Sequence, residues 1–563
     1  MKSFFLLLIT LLSISALSAQ LNLDSTFATN GFTQDISNLG IAHEIAVQPD
    51  GKILMAMGRR KLYANSNSSD EFNFYCARYM PDGSLDIGFG TNGLAKIGGI
   101  PRAEAMFVGI QSDGKIILAG KAKYCGPLVC GFDNIIIGRL HPDGQHDTTF
   151  GISLASPYVP KTITAAEEVF GDLYLGTEIK GMQVLANDQI VIAGNSQVAN
   201  SFAWTTTIYH SFIARLNKDG SVDSSYSSSG NGVFNLPARY QNGNWGSIEA
   251  LKMDGLGNMY LAGSRTVEPV PGQYEFNAFV GKVFPTGHID STYGTDGVVD
   301  IDFGSRDRMP SIDVDARGNV LLGGHQTGYG DSATVVLLNP QGQFSTDMPG
   351  GHAYVNFPKN EKGFIYAARF DQQGRICIAG HYYTAAVNTR IGYAGRLNRN
   401  GTWDASFTSA GTGIDTLNLS IQSIHVATIF HDMHLLPNGQ MLLSGERFHK
   451  TGSTEPMGIL VRLNPADVAL GNGQNLAETY EMSVFPNPLA QHSAIQYTLP
   501  QPSTVSIDVL DLQGKVVDVL QKSQAMTQGK HELGLGNLAQ HSKGLHIIRV
   551  KTEKGQAFAK VML

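Results

Sequence analysis

Short runs of alternating apolar and polar residues, closed by Asp-Gly or Asn-Gly pairs, fill most of the chain. That period-two pattern predicts half-buried β-strands joined by hairpins. Ile45 and Val47 flank a variable Ala46. The two apolar places recur as Val108 and Ile110, Met182 and Val184, Leu251 and Met253, Ile312 and Val314, Ala368 and Phe370, and Met433 and Leu435. Between them stand Gly109, Gln183, Lys252, Asp313, Arg369 and His434, so one strand face is buried and the other is not. A turn and a second apolar run follow each time. Asp50-Gly51-Lys52-Ile53-Leu54-Met55-Ala56-Met57-Gly58 states this phrase first, and Asp113-Gly114-Lys115-Ile116-Ile117-Leu118-Ala119-Gly120 repeats it. Looser copies end at Gly194, Gly263, Gly324, Gly380 and Gly445. Tight hairpins need positive φ, which Gly, Asn and Asp tolerate best.

A second phrase, an Arg-Leu strand, another Asp-Gly turn and then Leu-Asp-x-x-Phe, follows most of these. It is found at Asp24, Asp86, Asp147, Asp223, Asp290 and Asp404, with a degraded copy around Phe344. Both phrases occur seven times, but they are displaced. The chain begins with an orphan second phrase, Leu23-Asp24-Ser25-Thr26-Phe27, and the last unit stops at Arg462-Leu463-Asn464-Pro465 without one. Complementary ends of this kind are what a ring closed by its own termini requires, since closure removes exposed sheet edges. The expectation is an all-β protein whose residues 20–465 form a seven-bladed β-propeller, its last blade completed by the N-terminal strand.

Composition fits that picture. The 64 glycines among 563 residues suit a chain of many tight turns. A formal charge of −7 leaves no basic footprint, so no nucleic-acid partner is expected. Lys2, the apolar run Phe4 to Leu12 and the small residues Ala16 to Ala19 have the layout of a secretory signal peptide over residues 1–19. No later run is apolar enough to predict a transmembrane helix. Of the four cysteines, Cys125 and Cys130 flank a Gly-Pro turn where an exported chain could form a loop disulfide, while Cys76 and Cys377 fall inside strand patterns. Residues 466–481 read as a linker, and 482–563 as a small Ig-like β-sandwich of short strands.

Two families are similar to these parts. The phrases Asp-Gly-Lys-Ile-x-x-Ala-Gly, Arg-Leu-x-Pro-Asp-Gly and Leu-Asp-x-x-Phe-Gly resemble the delta-60 repeat of bacterial surface proteins, which implies a propeller-like array and brings no ligand or catalytic residue. In the tail, Phe485-Pro486-Asn487-Pro488, Asp511-Leu512-Gln513-Gly514 and Gly544-Leu545-His546-Ile547 resemble, in that order, the C-terminal sorting domain of the type IX secretion system. That resemblance implies an outer-membrane translocon as partner and a secreted or cell-surface address.

Motifs of chemistry are sparse. The sequence has no Gly-x-Ser-x-Gly elbow, His-Glu-x-x-His helix or phosphate loop, so no cofactor or metal is expected. The Asp-x-x-Phe phrases lack the alternating acids of a calcium loop and read as turn caps. One column stands out. Aligned on the turns, His43, Met106, Lys180, Glu249, Pro310, Tyr366 and His431 occupy one place near the start of each first strand. If first strands are innermost, the column rings the channel mouth, which makes His43, Lys180, Glu249, Tyr366 and His431 candidate ligand-binding residues. The Asp-Gly hairpins are short and lie on one face, whereas the long joins lie on the other with Trp204, Trp245, Tyr382 and Tyr383 as candidate loop contacts. The expected function is a binding or adhesion module for a glycan or protein on the long-loop face. The rivals are a glycan-active hydrolase or lyase at the channel mouth, with His43, Glu249 and His431 as its only suggestive acid–base groups, and a purely structural surface component.

Overall fold

The computed structural model describes residues 22–33, 40–58, 74–97, 103–125, 130–150, 161–162, 174–199, 207–227, 232–236, 247–270, 273–304, 306–327, 332–357, 361–384, 389–417, 427–448, 456–465, 482–485, 493–499, 501–510, 516–535, 545–552 and 556–562. The expected signal peptide, the 466–481 linker, Trp204 and Trp245 lie outside these residues. The chain divides into two compact units, Met1–Val468 and Ala469–Leu563.

The first unit is all-β. Its described residues form seven antiparallel sheets, six of four strands and one of three, each in simple sequence order. The first strands are Ile41–Val47, Ala103–Ile110, Tyr174–Val184, Ser247–Met253, Arg306–Val314, Lys362–Phe370 and Ala427–Leu435. Each packs against the first strand of the next sheet, and that of sheet seven packs against that of sheet one. Apolar side chains fill the space between successive sheets. Leu54, Ala56 and Cys76 of sheet one, for example, share a core with Ile116 and Leu118 of sheet two. Leu442 and Leu460 of sheet seven share one with Ile45 and Met55 of sheet one and with Phe27. Burying such side chains supplies about 1.5–3 kcal/mol each.

First strands touch without backbone pairing, so their amides need other acceptors. Side chains supply them. The Val108 amide donates to Glu44 Oε2 at 2.9 Å, the Phe370 amide to Asp313 Oδ2 at 2.9 Å, and the Ile45 amide to Asp432 Oδ2 at 3.1 Å. Asp313 holds a variable place of the sequence pattern, and Glu44 and Asp432 stand two residues before the variable Ala46 and His434. Burial, with Asp432 close by, pushes the Glu44 carboxyl up to about 8.

The Asp-x-x-Phe phrase is a turn cap and a rivet together. Asp147 Oδ1 accepts the Thr149 amide and hydroxyl at 3.0 and 2.6 Å, and its Oδ2 accepts Arg139 Nε at 2.8 Å. Arg139 lies over the Phe150 ring, 4.8 Å from its centroid. Its Nη1 also crosses to the Lys218 carbonyl of the next sheet at 2.7 Å. Arg78 with Asp86 and Phe89, and Arg215 with Asp223 and Tyr226, repeat the device. In sheet five Ser345 and Met348 replace the acid and the aromatic, which is why that copy reads as degraded.

Sheet seven has only Ala427–Leu435, Met441–Phe448 and Met457–Leu463. Its outer strand is bridged by N-terminal residues, Leu23 to Leu463 and Phe32 to Val461. Arg462 Nε donates to Asp24 Oδ2 at 2.7 Å, its guanidinium covers Phe27 at 4.5 Å, and its Nη1 reaches the Pro81 carbonyl at 2.6 Å.

The second unit places a three-stranded sheet and a four-stranded sheet around one core that includes Ile495, Tyr497, Val505, Ile507, Ile548 and Val550.

Candidate functional site

The column picked out in the sequence coincides with a β-bulge in every sheet. Pairing of the first two strands jumps across His43 and Glu44, Met106, Lys180, Glu249, Met309 and Pro310, Tyr366, and His431. A bulge adds one residue opposite a single partner, breaks strict alternation and re-aims the extra side chain. His43, Met106, Lys180, Glu249, Pro310, Tyr366 and His431 are all half-buried, while their chain neighbours are mostly core.

The bulges explain the glycines that end the first phrase. The extra residue drives the first-strand carbonyl into the second strand. A Cβ on Gly380 would collide with the Phe364 carbonyl oxygen, and one on Gly445 with that of Ile429. Gly120, Gly194, Gly263 and Gly324 meet the corresponding carbonyls. In sheet one the register differs from the reading by terminal glycines. Met57 holds the place of Gly120, and Gly58 stands one residue later, where any Cβ would strike the Glu104 side chain.

Three bulge residues from sheets six, seven and one form a contiguous arc. The Tyr366 and His431 rings lie 5.8 Å apart, and the His431 and His43 rings 5.9 Å apart. His43 Nε2 donates to Glu104 Oε1 at 2.8 Å, and Lys121 Nζ stands 3.7 Å from the other oxygen of that carboxylate. His431 Nε2 donates to Glu446 Oε1 at 3.2 Å. Ionised carboxylates only accept, so in each pair the imidazole Nε2–H is the donor. The Ser444 hydroxyl donates to the His43 carbonyl and ties sheet seven to sheet one beneath the arc.

A second column supports the first. It is the residue after the close-approach glycine: Lys121, Asn195, Ser264, His325, His381 and Glu446. The sequence reading stopped at the glycine, and reading one position further would have exposed this polar series inside an apolar strand. Glu446 is buried and its Oε2 has no partner among the described residues, as is also true of His381 Nδ1 and Glu249 Oε2. Buried polar atoms without partners are costly. The Tyr366 ring also lies 5.7 Å from His381, and Phe364 stacks on His381 at 4.9 Å. Burial pushes the His381 imidazole down to about 3, helped by Arg390, His431 and His325, so it is neutral. Burial raises the Tyr366 hydroxyl above its usual value, against the pull of Arg390 and Arg308.

The remaining sequence candidates lie elsewhere. Glu249 pairs with Arg308 at 2.9 Å and Lys180 with Glu178 at 2.9 Å, so neither joins the histidines. Tyr382 is a strand residue, 7% exposed and stacked on Phe357 at 5.4 Å, because the strand Ile376–Thr384 runs further than its turn signals suggest. Tyr383, next to it, is exposed. Cys125 and Cys130 are register partners at the end of their hairpin, with side chains outside the described ones.

Residues 483–563 match the family described as the secretion system C-terminal sorting domain. Residues 111–150 and 185–226 match the β-propeller domain of unknown function DUF5122. No curated protein matches the sequence. Among solved structures, a protein of unknown function from Dyadobacter fermentans is 11% identical, with a TM-score of 0.36 over 77% of this chain and 100% of its own. The polysaccharide lyase Uly1 is 11% identical, with a TM-score of 0.41 over 78% of this chain and 92% of its own. The β-propeller domain of the Trilobed protease from Pyrococcus furiosus is 7% identical, with a TM-score of 0.34 over 78% of this chain and 100% of its own. Overlaps this low assign no function. Among the described residues no helix is long and apolar enough to cross a membrane. The chain is thus an all-β, propeller-like protein with a type IX secretion C-terminal sorting domain, and its address is the cell surface or the exterior.

Proposed function

We propose that residues 20–465 form a seven-bladed propeller closed by their N-terminal segment, and that this unit binds a glycan at the mouth formed by the bulged ends of its first strands. The observation that carries the binding reading is the Tyr366–His431–His43 arc, three half-buried rings in three sheets with His431 within 6 Å of each of the other two. Sugars present apolar C–H faces together with hydroxyls, and rings flanked by carboxylates suit both. Glu446 Oε2 and His381 Nδ1, buried and without partners among the described residues, supply an acceptor beneath the arc and a ring nitrogen that either donates or accepts according to its tautomer. Support for closure comes from the Arg462–Asp24 pair, which repeats between the two ends of the unit the rivet found inside other sheets. The proposed division is a signal peptide at 1–19, a linker at 466–481 and a sorting domain from 482 onward.

The test is calorimetric titration of the full-length chain with a panel of neutral and acidic oligosaccharides, beside the Tyr366→Ala and His43→Ala variants. Binding that both variants weaken at least tenfold is expected. Lack of binding across the panel at high micromolar ligand, or binding that neither variant alters, would overturn the reading.

A further inference from the structure

Beside the arc, the groove between sheets six and seven is lined by cations. We propose that the glycan bound at the mouth is an acidic one, and that Arg390, with Lys362 and Arg447, holds its carboxylate or sulfate in this groove. This inference rests on the glycan-binding reading above and adds the ligand class.

Strand register fixes what lines the groove. In sheet six Lys362, Tyr383 and Arg390 stand directly opposite one another across three strands, and Phe364, His381 and Gly392 form the row beneath. Opposed residues, and residues two apart along a strand, share one face of a sheet. That face looks at sheet seven, because a Cβ on Gly392 would meet Thr428 Cγ2 at 2.9 Å and Phe430 Cε2 at 3.0 Å. Across the groove Thr428 is the register partner of Arg447, so Arg447 is turned toward sheet six.

The charged residues of these rows are Lys362, Arg390 and Arg447, all cations. Acids close by in the chain lie off the two rows. Burial raises the Tyr382 hydroxyl and the Glu361 carboxylate adds to that rise, which puts Glu361 by the opposite face, where Tyr382 packs toward sheet five. Asp415 stands one row deeper, opposite Ala394, and accepts the Asn22 amide at 2.9 Å. Arg390 is exposed and joins no ion pair among the described residues. Three like charges around one groove favour an anion there.

The remaining groups suit a sugar that carries the anion. Tyr383, 38% exposed, stands between Lys362 and Arg390 and offers a ring to an apolar sugar face. Thr428 Oγ1 and His381 Nδ1, both buried, have no partner among the described residues and can meet hydroxyls. A planar guanidinium takes a carboxylate or sulfate through two parallel hydrogen bonds. The groove also adjoins the arc. Burial lowers the His381 imidazole with help from the Arg390 charge, and the His381 ring lies 5.7 Å from that of Tyr366.

The experiment titrates the full-length protein by calorimetry with matched pairs: oligogalacturonate against its methyl ester, and a sulfated galactan oligosaccharide against its desulfated form. In at least one pair the acidic member should bind about 10-fold or more tightly, and raising salt from about 0.05 to 0.5 M should erase most of that preference. The pair that shows it tells carboxylate from sulfate. Arg390→Ala should cut the preference to within about threefold and leave the neutral member's affinity unchanged. Arg390→Lys should fall between the two, because it keeps the charge without the planar fork. Both variants should melt as the native protein does, since Arg390 is exposed. Equal or weaker binding of the acidic member in every pair overturns the acidic class and leaves the glycan-binding reading standing. A preference that Arg390→Ala does not reduce overturns the groove as its place. Absence of binding to every member overturns both readings.

Discussion

Replacing Arg462 with alanine probes how the two ends of the repeat unit are held. Arg462 Nε sits 2.7 Å from Asp24 Oδ2, and the two side chains are 12% and 5% exposed. Asp24 also accepts Gln440 Nε2 at 2.9 Å and the Thr26 amide and hydroxyl at 3.0 and 2.6 Å. Removing one partner of a pair this buried leaves the other charge uncompensated, which costs about 3–5 kcal/mol. Loss of the guanidinium over Phe27 adds about 1 kcal/mol. Arg78→Ala is the matched control, since Arg78 and Asp86 form the same pair within one continuous stretch. In both variants the melting temperature should fall. Only in Arg462→Ala should the Asp24 and Thr33 amides, which donate to the Arg462 and Leu460 carbonyls, exchange with solvent ahead of global unfolding. Burial would raise the Asp24 carboxyl, but the Thr26 hydrogen bonds and the Arg462 charge outweigh it and hold it below its usual value. The clasp is therefore fully present above the ordinary carboxylate range and is lost as pH falls through the depressed folded value. Unchanged exchange at Asp24 and Thr33, or equal behaviour of the two variants, would refute the clasp.

Two further substitutions test the bulge and the channel. Gly445→Ala forces a Cβ against the Ile429 carbonyl, so the bulge carrying His431 must shift, and a loss of about 1–3 kcal/mol in chemical unfolding is expected. A fully tolerated alanine would contradict the account of the repeat's final glycine. Glu44→Gln keeps an acceptor for the Val108 amide but cannot ionise. Because burial and Asp432 raise the Glu44 carboxyl to about 8, its contribution is present at acid pH and fades as pH rises through that value. The glutamine variant should match the native protein near pH 5 and exceed it near pH 9 by up to about 3 kcal/mol. Parallel stability–pH curves would dismiss the effect.

Much of the strand pattern was legible because turns and strands have local causes. Positive φ demands Gly, Asn or Asp at hairpins, and Gly51 and Gly114 adopt φ of 84° and 80°. Alternation around Ile45 and Val47 is met in part: Ile45 is buried, whereas Ala46 and Val47 are both half-buried and pack against the cores shared with sheets two and seven. The bulges were not legible, since nothing in the local pattern of residues as different as Met106, Pro310 and Tyr366 marks an extra residue. Alignment on the turns nevertheless placed all seven in one column, because each bulge lies the same distance from its turn. Gly58 was read as the equivalent of Gly120 because both end the phrase, yet it is displaced by one residue and makes room for Glu104 instead. The carboxylates that hold His43 and His431 come from neighbouring strands, 61 and 15 residues away, and no pattern along one strand could connect them. Tyr382 was misplaced for the opposite reason. Its strand outlasts the turn signals, and an aromatic beyond the apparent strand end looks like a loop residue until Phe357 is seen stacked on it.

Hydrogen exchange of the full-length protein with and without a bound oligosaccharide tests the central claim most directly. The account predicts slowed exchange at the starts of the first strands, residues 41–45, 362–366 and 427–431, with the hairpin turns at 48–52 and 371–375 unchanged. Protection confined to those turns, or to the second unit, would contradict it.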